Sequence, residues 1–281
     1  MSKSLTDSAI ASFDAQVKHA YQGTGKLRNT VRLRTGVTGS THRFPKMGKG
    51  TATRRIPQTD VTPMNVSHTN STATLEDWNA AEYTDIFDQA EVNFEEKREL
   101  ATVIAGAIGR REDQLILDAI DAASTTLTVS TDIGGTGSDL NTSKVRRAKK
   151  LMVEQGVVFE KGQQTFVMGA SQLESLLGDT DANTIDKNAI KALYDGEIKY
   201  WVGFEFITME TRAEGGLPVA TSVRTCYAYD KMSTGMAIGL DFRTEINYVP
   251  QKTSWLCNGI FKAGAVGVDA LGIVEISCTE A

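Results

Sequence analysis

The sequence predicts an α+β fold in which a basic arm precedes an acidic body. Three observations carry this. Residues 95–123 repeat apolar side chains at helical spacing. The second half of the chain alternates short β-branched and aromatic runs with turns, and the helices between them keep no βαβ rhythm. Residues 15–59 contain no acidic side chain but ten Lys or Arg.

Bulk composition sets the outer limits. At 281 residues, with 41% hydrophobic and 23% charged side chains, the chain has enough material for one large core or two linked smaller ones. Residues 1–55 carry a formal charge of +9 and residues 56–281 carry −14, within a net −5. Such an asymmetry is satisfied against another copy of the chain or against a polyanion, which favours assembly over catalysis. No run approaches the roughly 18 apolar residues of a membrane helix, so no membrane partner is expected. Residues 1–7 lack a basic-then-apolar signal pattern, and synthesis in the cytosol is the expectation. Cys226, Cys257 and Cys278 are far apart and form no CxxC pair, which predicts buried, reduced thiols.

Residues 1–40 read as an arm. A short helix around residues 5–21 is followed by Gly23, Gly25 and a basic, Thr-rich stretch holding Lys26, Arg28, Arg32 and Arg34. Its few apolar residues cannot make a core, so the arm should gain order by lying across something else. Residues 41–80 read as an extended loop or β-ribbon. A strand carrying Arg43 and Phe44 should stop at Pro45; Lys46, Lys49 and two glycines follow. Residues 51–57 then alternate small and charged side chains, among them Arg54 and Arg55. That composition suits a ribbon wetted on both faces, too small to be stable alone.

From residue 81 the character changes. Glu95 and Glu96 place negative charge at the start of the long helix, favourable for its dipole. Leu100, Ile104, Ile108, Leu115, Ala119 and Ala122 form its apolar stripe. A helix over about residues 95–123 would run about 43 Å at 1.5 Å per residue, a spine in which Gly106 and Gly109 mark a bend or a close contact. A second helix begins at an Asn141 or Thr142 cap, lines one face with Val145, Ala148, Leu151 and Met152, and ends at Gly156. A strand over 164–168 and a short helix over 171–177 follow, with Ser171 and Glu174 at capping-box spacing. Another short helix is expected near 187–194. Strands are expected over 199–209, 224–230, 236–240, 244–249, 254–263 and 272–278. Two parts result: one built from 143–240, the other joining 81–142 to 241–281.

Chemistry-bearing patterns are sparse. His19, His42 and His68 all lie in the arm or ribbon, away from any preorganised pocket, so triads and HxxxH metal sites are not expected. Gly134, Gly135 and Gly137 do not complete GxGxxG. Gly25-Lys26 and Gly48-Lys49 lack the upstream glycine of a phosphate loop. The acidic groups around residues 85–99 have no companion histidine and read as solvated helix faces. No enzyme activity, cofactor or metal is expected. The basic arm could grip nucleic acid through phosphates. With only Tyr21 and Phe44 for stacking and no base-reading helix, docking on the acidic body of a neighbouring copy is the preferred reading.

The order of elements resembles the major capsid proteins of tailed bacteriophages, the Hong Kong 97-type fold, most of all those of T-seven-like podoviruses. Thr41-His-Arg-Phe-Pro-Lys-Met-Gly-Lys-Gly is similar to the family's strand-Phe-Pro-x-x-Gly approach to its extended loop. Tyr83-Thr-Asp-Ile-Phe-Asp-Gln-Ala-Glu-Val resembles the strand leading to the spine helix, and Val202-Gly-Phe-Glu-Phe-Ile the Gly-Phe-x-Val/Ile strand of the axial domain. The resemblance implies an arm over 1–40 and an extended loop over 41–80. It further implies a peripheral domain over 81–142 and 241–281, and an axial domain over 143–240. It implies a shell of pentamers and hexamers around double-stranded DNA bound without sequence preference, built in the host cytoplasm with a scaffolding protein, a portal and a possible decoration protein. Contacts between copies would fall on Lys26, Arg28, Arg32, Arg34, Arg43, Phe44, Lys46, Lys49, Arg54 and Arg55. Their partners would be acidic strips such as Glu76, Asp77, Glu95 and Glu96. No long charged N-terminal extension is evident that would serve as a built-in scaffold. Family members that crosslink Lys to Asn suggest Lys46 or Lys49 with Asn258, but no motif fixes that chemistry. Alternatives are an encapsulin-type shell around protein cargo, and a DNA-binding protein using the basic N-terminal arm.

Overall fold

The apolar stripe of the spine becomes one helix, α1 (Glu96–Asp121), in a computed structural model that describes residues 25–87, 96–179 and 200–280. Ile104, Ile108, Ile116 and Ile120 are buried along it. It runs through both glycines, and Gly109 marks a close contact: a Cβ on Gly25 would stand 2.9 Å from the Gly109 carbonyl oxygen.

In chain order the strands are β1 (Arg32–Arg34), β2 (Thr41–Met47), β3 (His68–Thr74), β4 (Glu76–Asp85), β5 (Thr128–Val129), β6 (Gln164–Gly169) and β7 (Tyr200–Trp201). They continue with β8 (Phe204–Met209), β9 (Val219–Ala220), β10 (Val223–Asp230), β11 (Thr234–Val249), β12 (Ser254–Gly267) and β13 (Ile273–Thr279). Helices α2 (Thr142–Glu154) and α3 (Ala170–Gly178) fall between β5 and β7. Strands β1-β11-β12-β4 form one sheet, with β1 parallel to β11. A larger sheet has the order β5-β13-β10-β6-β8-β7, with β9 beside β10. Strands β2 and β3 form a separate ribbon.

One contiguous core joins the arm residues Leu27 and Val31, the inner face of α1, α2 and the larger sheet. Asn141 caps α2 as its sequence suggests, its Oδ1 accepting from the Lys144 backbone N–H at 2.9 Å. Lys144 itself turns inward and donates to the carbonyls of Ser138 and Ser277 at 2.6 and 2.8 Å, so a charged side chain helps close the core. All three cysteines are buried and form no disulfide.

Several local expectations change. Strand β2 does not stop at Pro45 but runs to Met47, with Pro45 opposite Asn70. Among the described residues it pairs on one side only, the edge position at which a strand tolerates proline. The predicted strands 236–240 and 244–249 are one strand, β11, whose register shifts near Leu240 break the alternation that a sequence reader relies on. Residues 199–209 are a tight hairpin instead of one strand, because Val202 and Gly203 adopt positive φ of 54° and 92°. Helix α3 starts at Ala170 directly from β6, with Gly169 as its cap and no side-chain cap bond, so the Ser171–Glu174 capping box does not form. The last strand was grouped with the spine helix, yet β13 hydrogen-bonds to β10 and β5 in the larger sheet. The expected helices over 5–21 and 187–194 lie outside the described residues.

Candidate assembly surfaces

The described part of the arm begins at residue 25. From there on it is stapled to the body of its own chain by Asp113, a fully buried carboxylate on α1. Its oxygens accept from the Lys26 backbone N–H at 3.0 and 3.1 Å, from Leu27 N–H at 2.9 Å and from Arg212 Nη2 at 2.8 Å. Burial pushes the Asp113 carboxyl upward, and the Leu27 and Lys26 amides and the Arg212 guanidinium pull it back. Next to it, burial drives Glu112 up to about 7, partly offset by Arg28 at 3.5 Å. Arg28 is spent chiefly on Asp241, in a two-pronged bond at 2.9 and 2.8 Å that holds the aspartate below its usual range. Thr30 Oγ1 and the Tyr229 hydroxyl share a hydrogen bond of 2.6 Å, and β1 then adds to the sheet.

The candidate contact residues thus divide by location. Lys26 Nζ donates to the Thr208 carbonyl at 2.9 Å, and Arg28 holds Asp241, both within the chain. Arg32 lies over the Phe44 ring at 5.5 Å, while Arg34 and Arg43 are exposed. Asp113 and Arg212, which do the fastening, were not singled out by the sequence. Nothing local distinguishes them from other charged residues on a polar helix face or in a loop.

The ribbon is wetted on one face only at its root. Phe44 and Ala73 are fully buried with Leu75 and Ala237 in a small separate core. Lys46 Nζ reaches Asp269 at 2.7 Å, and Lys49 Nζ donates to the Gln155 carbonyl at 2.9 Å. Gly264 of β12 faces the Thr74 main chain so closely that any side chain there would collide with it. Beyond this anchor every residue from Gly50 to Asn65 is exposed, including Arg54 and Arg55. So are the apolar side chains of Ile56, Val61 and Met64, at 62%, 86% and 60%.

The acidic counterpart lies on β4, an edge strand paired on one side with β12 among the described residues. It carries Glu76, Asp77, Glu82 and Asp85 and no basic side chain. Asp77 is held by Lys262 at 3.0 Å; Glu76 and Glu82 are exposed. Glu95 and the Glu96 side chain lie outside the described residues. Asn258 pairs with Glu245 and Ala81 inside the four-stranded sheet, while Lys46 and Lys49 are engaged elsewhere in the chain. Among the described residues no group of three or more His, Cys, Asp or Glu is placed to hold a metal ion, and no helix is long and apolar enough to cross a membrane.

A sequence model of one family, described as phage capsid protein, matches residues 5–280. No curated protein sequence matches the chain. Among solved structures, the fold is similar to the capsid of the cyanophage P-SCSP1u, with a TM-score of 0.76 at 14% identity over 99% of this chain and 95% of that one. It is similar to the head protein of Helicobacter pylori bacteriophage KHP40, with a TM-score of 0.77 at 10% identity over 95% of each chain. It is also similar to the capsid of a GTA particle, with a TM-score of 0.68 at 17% identity over 96% and 95%.

Proposed function

The chain belongs to the phage capsid protein family, and from that premise we propose that copies of it build an icosahedral shell of pentamers and hexamers around double-stranded DNA. It is a major capsid protein of Hong Kong 97-type fold with a structural role in the virion. The observation that carries the assembly reading is the exposed run from Gly50 to Asn65, held out on a ribbon whose root is fastened. A monomer leaves Ile56, Val61 and Met64 in water; a neighbouring copy covers them, contributing to the roughly 800 Å² per partner that a stable interface buries.

Charge sets the register of that contact. Arg54 and Arg55 of one copy face the acidic edge of β4 in the next, where Glu76, Asp77 and Glu82 stand beside unpaired main-chain groups. Residues 143–240, joined by β13, meet at the capsomer centre, and the spine helix with the four-stranded sheet forms the periphery. Assembly takes place in the host cytoplasm on a scaffolding protein, with a portal at one vertex; a decoration protein, where present, binds the finished shell.

Size-exclusion chromatography and negative-stain electron microscopy of the full chain, with and without its scaffolding protein, test this. Closed shells or pentameric and hexameric rings are expected. A clean monomer under both conditions would overturn the shell.

A further inference from the structure

A second basic surface lies inside the acidic body. Residues 140–153 contain Lys144, Arg146, Arg147, Lys149 and Lys150 and no acid, in a part of the chain that carries −14 overall. They form α2, which packs against β13 and β5 with Val145, Ala148 and Met152 buried. The helix separates the five cations by face. Lys144 turns inward to two carbonyls, and Lys149 lies half-buried along the Phe159 ring at 5.1 Å. Arg146, Arg147 and Lys150 all point outward and are exposed. Positions i, i+1 and i+4 fall within an arc of about 100° on a helix and span about 6 Å along its axis.

This arrangement works against the helix that carries it. The first turn of α2 holds no acidic residue to favour its dipole, and the one cation in that turn is the inward-facing Lys144. The three outward cations also add to one another's repulsion; Lys150 meets Glu154 at 3.4 Å and Arg146 donates to the Ser143 hydroxyl at 3.1 Å. Packing of α2 on the sheet does not need these charges, because the buried face is made by other residues.

We propose that the outward face of α2 is a phosphate-binding surface for duplex DNA, lining the inner wall of the shell; its location there rests on the capsid reading above. Two guanidinium forks and one ammonium match the backbone of a duplex, which offers phosphates at a dense, regular spacing. The face carries no aromatic side chain on which an unpaired base could stack, so the duplex backbone is favoured over single strands. Val153 is its one exposed apolar residue, too little for the apolar centre of a protein–protein interface. Contacts of this kind read no sequence, as a wall facing a packed genome requires.

The test uses purified full-length protein and a fluorescent 30-base-pair duplex, with anisotropy followed from 50 to 300 mM salt, about the range where phosphate contacts dominate. The triple variant Arg146→Gln, Arg147→Gln, Lys150→Gln should lower the slope of log affinity against log salt by about 3. A charge-matched control, Arg98→Gln, Arg243→Gln, Lys252→Gln, should keep the wild-type slope. A thermal melt should show the triple variant at least as stable as the wild type, since repulsion among the three outward cations is relieved. An unchanged slope, or an equal fall in the control, would overturn the proposal. Loss of binding to polyglutamate with the DNA slope intact would overturn it in favour of an acidic protein partner. These readings come from subunits in solution, so failure to form shells would count against the shell and leave the DNA result to stand separately.

Discussion

Asp113 joins three parts of the chain that lie far apart in sequence: residues 26 and 27 of the arm, the spine helix and the loop carrying Arg212. Replacing it with alanine leaves the Lys26 and Leu27 amides without their acceptor and takes from Arg212 its buried carboxylate, leaving that guanidinium only Glu210 and the Gly215 carbonyl. The expected loss is about 3–5 kcal/mol in urea unfolding, with early tryptic cleavage after Lys26 or Arg28. Its neighbour Glu112 acts in the opposite sense. Its folded-state pKa of about 7 lies above the unfolded value, so the native state binds the extra proton between about pH 4.5 and 7. Stability from this group is therefore present below that window and lost as pH rises through it. Glu112→Gln, which mimics the protonated form, should match the wild type near pH 4.5 and exceed it at pH 8 by on the order of 2 kcal/mol. A melting temperature raised equally at both pH values would show that the carboxyl does not titrate in this way. Neither role is legible in the sequence, where both residues read as members of a solvated helix face.

The ribbon owes its direction to its root. Phe44 fills a small core of its own with Ala73, Leu75 and Ala237. Phe44→Ala should therefore free the ribbon while the main core stays intact, at a cost of about 3 kcal/mol. Hydrogen exchange should rise across β2 and β3 and remain slow in β10 and β13; uniform acceleration would mean that the ribbon is not a separate unit. Gly264→Ala should have a related effect from the other side, since a methyl group there meets the Thr74 main chain. Strand composition announced the ribbon, but its alternating pattern concealed that one face is dry: Phe44 reads as a single apolar side chain between Arg43 and Pro45. The break in β11 was concealed for a comparable reason, since a register shift swaps the faces of a strand and imitates a loop between two.

At the scale of the whole molecule, the acid-free stretch divides into two roles. Removing residues 1–40 would take Leu27 and Val31 out of the core, so that truncation should not give a folded monomer. Removing residues 1–24 leaves the Asp113 staple, Leu27 and Val31 in place and should give a folded monomer with a cooperative melt. Reversing Arg54 and Arg55 to glutamate changes residues with no described partner in the chain. It should abolish shells in electron micrographs while the melting temperature holds; intact shells from this variant would remove those arginines from the interface. The sequence by itself determined the α+β class, the spine helix, the cap of α2, most strand positions and the charge asymmetry. These depend on periodicity and composition, which are local properties. The family resemblance was legible as an order of elements for the same reason. Only the tertiary structure decided which cations are used within the chain and which are left for a partner, that β13 completes the larger sheet, and that α2 turns three of its five cations outward. Each of these depends on which side chains meet across long separations in sequence, and burial, the quantity that decides their energetic weight, exists only once the chain has folded.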